Sequence, residues 1–92
     1  MLAVVRAALP LPPPDTIVRI GITNCRGGYA RVVAVPSNTN CGKPGGSCYN
    51  NEQVFLEDDN GHWSFLDNGS GINCDNPLTV RKVAAACKAL GL

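Results

Sequence analysis

The stretch from Glu52 to Asp67, EQVFLEDD-NG-HWSFLD, decides the fold. Two apolar-rich runs flank Asn60-Gly61. A two-residue hairpin turn of type I′ needs positive φ at both central residues, and Asn-Gly is the pair that adopts this geometry most readily. The pattern therefore predicts a β-hairpin with strands at Glu52–Asp59 and His62–Asp67.

A second hairpin is predicted on the N-terminal side of the first. Thr16–Thr23 (TIVRIGIT) and Tyr29–Val35 (YARVVAV) are rich in β-branched residues, and Asn24–Gly28 between them is rich in turn-forming residues. Strand alternation puts Ile17 on the same face as Arg19. The same alternation predicts that three apolar side chains share the other face: Val18, Ile20 and Ile22.

The C-terminal element changes from strand to helix period. Four apolar residues recur on one helical face: Val80, Val83, Cys87 and Leu90. Asn76 or Thr79 can cap the start of this helix, and Gly91 can end it. We expect Trp63 and Phe65, which share a strand face, to centre the packing against it. The predicted class is α+β: a small antiparallel sheet of about four strands in two hairpins, with one C-terminal helix and disulfide staples.

The first fourteen residues, MLAVVRAALPLPPP, differ in composition from the rest. They are interpreted either as the remnant of a signal peptide or as a disordered, polyproline-like leader. Residues 15–92 are predicted to form a single disulfide-stabilised domain. No apolar run approaches the roughly 20 residues that a membrane-spanning helix needs, so no transmembrane segment is predicted.

Composition points to an oxidising compartment and away from nucleic acid. The chain has 92 residues and five cysteines, and small domains with limited cores commonly rely on disulfides. Eight Lys and Arg against seven Asp and Glu leave a net charge of +1. A nucleic-acid-binding domain of this size is expected to be clearly basic. We therefore expect export and no nucleic-acid partner.

The spacing of the cysteines favours two bridges without excluding others. Cys41 and Cys48 bracket a flexible segment, and closing that loop would contribute roughly 2.5 kcal/mol. Cys74 and Cys87 could close a second loop, worth roughly 3 kcal/mol. Cys25 then remains a free thiol, an intermolecular bridge, or the true partner of Cys41 or Cys48. Because the chain has no C-x-x-C pair and one histidine, no metal site is predicted.

Catalytic and cation-binding patterns are weak in this chain. His62 beside the Asn-Gly turn is interpreted as a solvent-facing histidine, since a general base needs a nucleophile and an orienting group nearby. Glu57–Asp59 is interpreted as a solvated turn rather than a glycosidase pair. Asp67–Gly71 has the composition of a calcium loop but lacks its alternating ligands. No catalytic residue and no cofactor is predicted.

The segment Val54–Leu92 carries a resemblance. Its run HWSFLDNGSGINC at 62–74 and its ending ACKALGL at 86–92 resemble small, uncharacterised exported proteins and lipoprotein domains of mycobacteria and other actinobacteria. These share a strand with Trp, a Gly-x-Gly-Ile-x-Cys loop and a second Cys on a short C-terminal helix. The resemblance implies export and a Cys74–Cys87 bridge, and it carries no catalytic assignment. This sequence departs from the set in that no complete signal peptide is evident in residues 1–14, so the resemblance leaves the route of export open.

The functional hypothesis is a non-enzymatic, secreted or cell-envelope domain that binds a protein or envelope partner. Loops on a stable scaffold often carry function, so the loop inside Cys41–Cys48 is the predicted contact surface. The predicted contact residues are Lys43, Pro44, Gly45, Gly46 and Ser47. One alternative is an inhibitor of a secreted or host hydrolase that uses the same loop. Another is a small hydrolase that uses His62.

Overall fold

Four antiparallel strands form the central sheet, with one helix on each of its faces. A computed structural model describes residues 1–69, 72–75 and 81–92, without the side chain of Lys82. The elements in chain order are α1 (Leu2–Ala8), β1 (Ile17–Arg26), β2 (Tyr29–Pro36), β3 (Glu52–Asp59), β4 (His62–Asn68) and α2 (Arg81–Leu90). The strands lie in the order β1-β2-β3-β4. The predicted α+β class with two hairpins and a C-terminal helix is confirmed.

The hairpin at Asn60-Gly61 forms as predicted. Both residues have positive φ, 54° and 88°, and Asp59 pairs with His62 across the turn. The Asp58 carboxylate accepts a hydrogen bond of 2.9 Å from the Gly61 amide. A local side-chain bond therefore adds to the backbone preference that sets the register of β3 and β4.

The first strand is longer than predicted and its faces differ from the prediction. It continues through Asn24, Cys25 and Arg26, so the turn shrinks to Gly27-Gly28 with φ of 63° and 84°. A register shift between Ile17 and Arg19 interrupts the alternation of side chains. Val18 therefore does not share a face with Ile20 and Ile22, and the prediction is wrong for that residue. Three residues pair with the buried Pro36, Ala34 and Val32 and share their face: Ile17, Ile20 and Ile22.

The N-terminal segment contains a short helix that packs on the sheet. Leu2–Ala8 forms α1, and the Val5 side chain is fully buried against the sheet. The Nε of Arg6 donates a hydrogen bond of 2.6 Å to the carbonyl oxygen of Ile17. The apolar residues of this helix cover one face of the sheet, and the prolines at 10 and 12–14 follow the helix without interrupting it.

The second helix ends as predicted. Gly91 has a positive φ of 75°. Its amide donates a hydrogen bond to the carbonyl oxygen of Lys88, and the amide of Leu92 donates one to the carbonyl oxygen of Cys87. This pair of bonds is a Schellman motif, which satisfies carbonyl groups at the helix end. Residues Val83, Cys87 and Leu90 are buried, as the periodicity predicts. The predicted start signals, Asn76 and Thr79, and the core position Val80 lie outside the described residues.

Each face of the sheet has its own core. The α1 side is a cluster of seven buried side chains: Val5, Ile17, Ala30, Val32, Ala34, Val54 and Leu56. The α2 side has five: Phe55, Val83, Ala86, Cys87 and Leu90. Trp63 and Phe65 pack on the α1 cluster, so the prediction that they centre the packing against the C-terminal helix is wrong. Phe55 takes that place because side chains alternate along β3, which puts Phe55 on the α2 side and its neighbours Val54 and Leu56 on the α1 side.

Candidate binding surface

The segment Cys41–Cys48 is an exposed loop closed at its neck by a disulfide. Every residue in it is exposed, and the Cα atoms of Cys41 and Cys48 lie 4.6 Å apart within the bridge. Lys43 is the single charged residue of the loop. The predicted contact residues Lys43–Ser47 are therefore brought together at the tip of one covalently closed structure.

Two successive turns set the conformation of the loop. The Asn40 carbonyl oxygen accepts a bond of 3.1 Å from the Lys43 amide, and the Lys43 carbonyl oxygen accepts one of 2.9 Å from the Gly46 amide. The third residues of these turns, Gly42 and Gly45, have φ of 87° and 72°. Proline at the second position of a turn and a glycine with positive φ at the third are typical of a type II turn. Lys43-Pro44-Gly45-Gly46 has this arrangement.

The glycine at position 46 is required for a different reason. A Cβ atom there would collide with the backbone carbonyl group of Asn40, whereas a Cβ at Gly45 would meet open space. The chain therefore doubles back against itself within the disulfide loop. This close approach, together with the bridge, fixes the shape that the loop presents to solvent.

Asn38 joins the two ends of the loop below the disulfide. Its side-chain oxygen accepts a bond of 2.6 Å from the Tyr49 amide, and its side-chain nitrogen donates one of 2.8 Å to the Tyr49 carbonyl oxygen. Asn38 itself has φ of 51°, a left-handed conformation that asparagine tolerates better than most residues. The base of the loop is thus closed by a side chain as well as by the bridge.

A buried carboxylate anchors the start of the loop to the sheet. Asp15 is 8% exposed, and its Oδ1 accepts bonds of 2.7 Å from the Ser37 hydroxyl and 2.8 Å from the Thr39 amide. The hydrogen bond from Ser37, followed by the one from Thr39, holds the pKa of Asp15 below its usual value. Neither Asp15 nor Asn38 was predicted from the sequence to have this role, although Asp and Asn residues beside turns commonly form such bonds.

A cleft of about 430 Å³ lies beside the loop. It separates the end of α1 and the chain after it from the segment that leaves Cys48. Its lining residues are Ala8, Leu9, Pro10, Leu11, Ile17, Cys48, Tyr49, Asn50, Glu52 and Asn68. The sequence does not predict this cleft, because its lining residues 8–11 belong to the segment whose composition is that of a leader.

The remaining candidates are not brought together with the loop into one site. His62 is exposed at the first position of β4. Asp58 and Asp59 are exposed at the same hairpin, where Asp58 bonds the turn. Cys25 is free and exposed on β1. Of the Asp67–Gly71 stretch, the last two residues lie outside the described part of the chain.

Both favoured disulfides are present. Besides the bridge at the loop neck, Cys74 and Cys87 are joined with their Cα atoms 5.6 Å apart, which ties the segment before α2 to the buried face of that helix. Within residues 1–69, 72–75 and 81–92, no group of three His, Cys, Asp or Glu side chains is placed to hold a metal ion. In that same part of the chain, no helix has the length and apolar character to cross a membrane.

Comparison of the chain with protein-family models, with curated proteins and with solved structures found no match.

Proposed function

We propose that this chain is a non-enzymatic, secreted or cell-envelope domain that binds a protein partner through the Cys41–Cys48 loop. The observation that carries the proposal is the combination of full exposure and fixed conformation in that loop. One disulfide, two turns and the Asn38–Tyr49 bonds hold it. A surface that is ordered before binding loses less conformational entropy on association.

The proposed compartment rests on the disulfides. Two bridges in so small a chain are typical of proteins that fold under oxidising conditions. We expect the native protein to contain two bridged pairs with Cys25 free or linked between molecules. Intact mass before and after reduction and alkylation, with peptide mapping, measures this. Five free thiols in the native protein would contradict both the compartment and the proposed role.

The contact surface is tested with substitutions at the tip of the loop. Lys43→Ala and Ser47→Ala remove side chains without touching the turn glycines, so the backbone conformation should persist. Partners are captured by photo-crosslinking from a probe at position 47 in extracytoplasmic fractions, which leaves Lys43 in place, with a probe at Asp59 as the matched control on another exposed turn. We expect a partner crosslinked from position 47 and not from position 59, and a binding constant weakened at least tenfold by Lys43→Ala.

Once a partner is identified, an unchanged binding constant for both Lys43→Ala and Ser47→Ala would show that the loop does not contact it. Equal crosslinking from positions 47 and 59 would show the same.

Inhibition of a secreted or host hydrolase is a second candidate, favoured by one observation. A narrow loop of fixed conformation, closed at a neck of 4.6 Å between Cα atoms, has the form of a segment that can enter an active-site cleft. Measurement against panels of proteases and lysozymes tests it. Inhibition at micromolar concentration that Lys43→Ala abolishes would support it, and absence of inhibition across the panels would remove it.

A further inference from the structure

The cleft beside the loop has apolar walls. Its apolar lining residues are Leu9 and Leu11 after the end of α1, Ile17 at the start of β1, and Tyr49, which follows the disulfide. Its volume of about 430 Å³ lies within the range of small-molecule and side-chain pockets. Walls of this kind suit an unbranched hydrocarbon stem.

A single carboxylate lines this cleft. Glu52, the first residue of β3, is half-buried and stands among lining residues that include no Lys, Arg or His. Its Oε1 accepts a hydrogen bond of 3.2 Å from the side-chain nitrogen of Asn68. In the described part of the chain, no hydrogen bond to the other carboxylate oxygen is formed and no basic side chain lies within ion-pair distance. The cleft therefore offers one carboxylate oxygen with a negative charge.

The arrangement discriminates between cations. The fork of a guanidinium group binds both oxygens of a carboxylate at once, and here Oε1 also accepts the bond from Asn68, so the two oxygens are not equivalent. An ammonium group is a compact point charge on a flexible four-carbon stem, and such stems pack along apolar surface while the charged end reaches a polar group. One free oxygen at an apolar cleft suits lysine better than arginine.

We propose that the cleft between residues 8–11 and 48–52 binds a lysine side chain of a partner protein, with its stem against Leu9, Leu11 and Tyr49 and its ammonium on Glu52. This contact is separate from the tip of the Cys41–Cys48 loop. It stands or falls independently of whether Lys43 contacts a partner.

The test uses the full chain and three blocked tripeptides that differ only in the central residue between two glycines. That residue is lysine, its uncharged isostere norleucine, or glutamate. Amide chemical shifts in two-dimensional NMR report where and how strongly each peptide binds. We expect saturable shifts at residues 8–11 and 49–52 with the lysine peptide, at least fivefold weaker binding of the norleucine peptide, and none of the glutamate peptide.

Substitutions test the role of the carboxylate. Glu52→Gln preserves shape and removes charge, so it should weaken the lysine peptide at least fivefold and leave the norleucine peptide unchanged. Glu57→Gln, on the same strand and outside the cleft, is the matched control and should change neither. Equal binding of the lysine and norleucine peptides, shifts elsewhere, no saturable shift, or equal effects of the two substitutions would each overturn the proposal. If Glu52→Gln fails to fold, the comparison of the lysine and norleucine peptides on the unsubstituted protein still tests whether the cleft binds the ammonium group.

Discussion

The side chain of Asn38 makes two hydrogen bonds to the backbone of Tyr49. Its Oδ1 accepts a bond of 2.6 Å from the Tyr49 amide, and its Nδ2 donates a bond of 2.8 Å to the Tyr49 carbonyl oxygen. This pair of bonds joins two residues eleven positions apart and holds the base of the exposed loop. It also positions Tyr49, which lines the neighbouring cleft. A single asparagine therefore orders both candidate binding surfaces.

Replacement of Asn38 should loosen this base. Asn38→Ala removes both hydrogen bonds and places alanine at a φ of 51°, and we expect the free energy of unfolding to fall by about 1–3 kcal/mol. Hydrogen exchange of the Tyr49 amide should accelerate strongly. Asn38→Gly keeps the backbone freedom and loses only the bonds, and exposed Asn51→Ala is the control. Unchanged exchange at Tyr49 in Asn38→Ala would contradict the role assigned to these bonds.

Acidification should release the anchor at Asp15. Because folding lowers the pKa of this carboxyl group, its contribution to stability is present above the unfolded-state pKa, which is about 3.9, and is lost as pH falls through the lower folded-state value. Asp15→Asn should therefore be less stable than the natural chain at pH 7, with a difference that shrinks below about pH 4. Urea unfolding at a series of pH values measures this. The exposed Asp59→Asn is the control for loss of one carboxylate, and an Asp15→Asn variant with the same acid dependence as the natural chain would refute the assignment.

The packing of α1 predicts a strong contrast between two neighbouring positions. Val5 is fully buried and Ala3 is exposed on the same helix. Val5→Asp places an unpaired charge in the α1 cluster, so we expect a loss of at least about 3 kcal/mol in the free energy of unfolding. Ala3→Asp should cost less than about 0.5 kcal/mol. Equal unfolding curves for the two variants would mean that α1 does not pack on the sheet.

Two glycines of the loop should respond differently to alanine. Gly45→Ala strains a residue with φ of 72° but meets open space, and we expect a cost of about 1–2 kcal/mol with the loop retained. Gly46→Ala drives a Cβ into the carbonyl group of Asn40, so the loop must change its path. Chemical shifts of Asn40 and Lys43 should move far more in the second variant. Similar shifts in both would show that the close approach is absent.

The parts of the fold that local sequence determines were predictable. The turn at Asn60-Gly61 needs only two residues with positive φ, and the buried face and end of α2 follow from helical periodicity and Gly91. The exposure of Lys43–Ser47 followed from its polar, glycine-rich composition. These features depend on neighbours in the chain, which a sequence displays directly.

The remaining features depend on partners that are distant in the chain. The displaced face of Val18 results from the pairing of β1 with β2, and α1 has seven residues, too few for a stable isolated helix in water. Its stability comes from the sheet, which the periodicity of residues 2–8 does not reveal. The cleft was missed with α1, because Leu9 and Leu11 form one of its walls.

The two bridges also govern how the chain carries mechanical load. Under tension applied at the two ends, force passes across each bridge, so the segments 41–48 and 74–87 stay slack while the rest of the chain extends. Those segments span seven and thirteen residue steps. At about 3.4 Å per step, reduction would release about 60 Å of additional contour length. The maximum extension of the oxidised molecule is therefore smaller than its residue count suggests. Its exposed loop carries no force while the sheet is stretched.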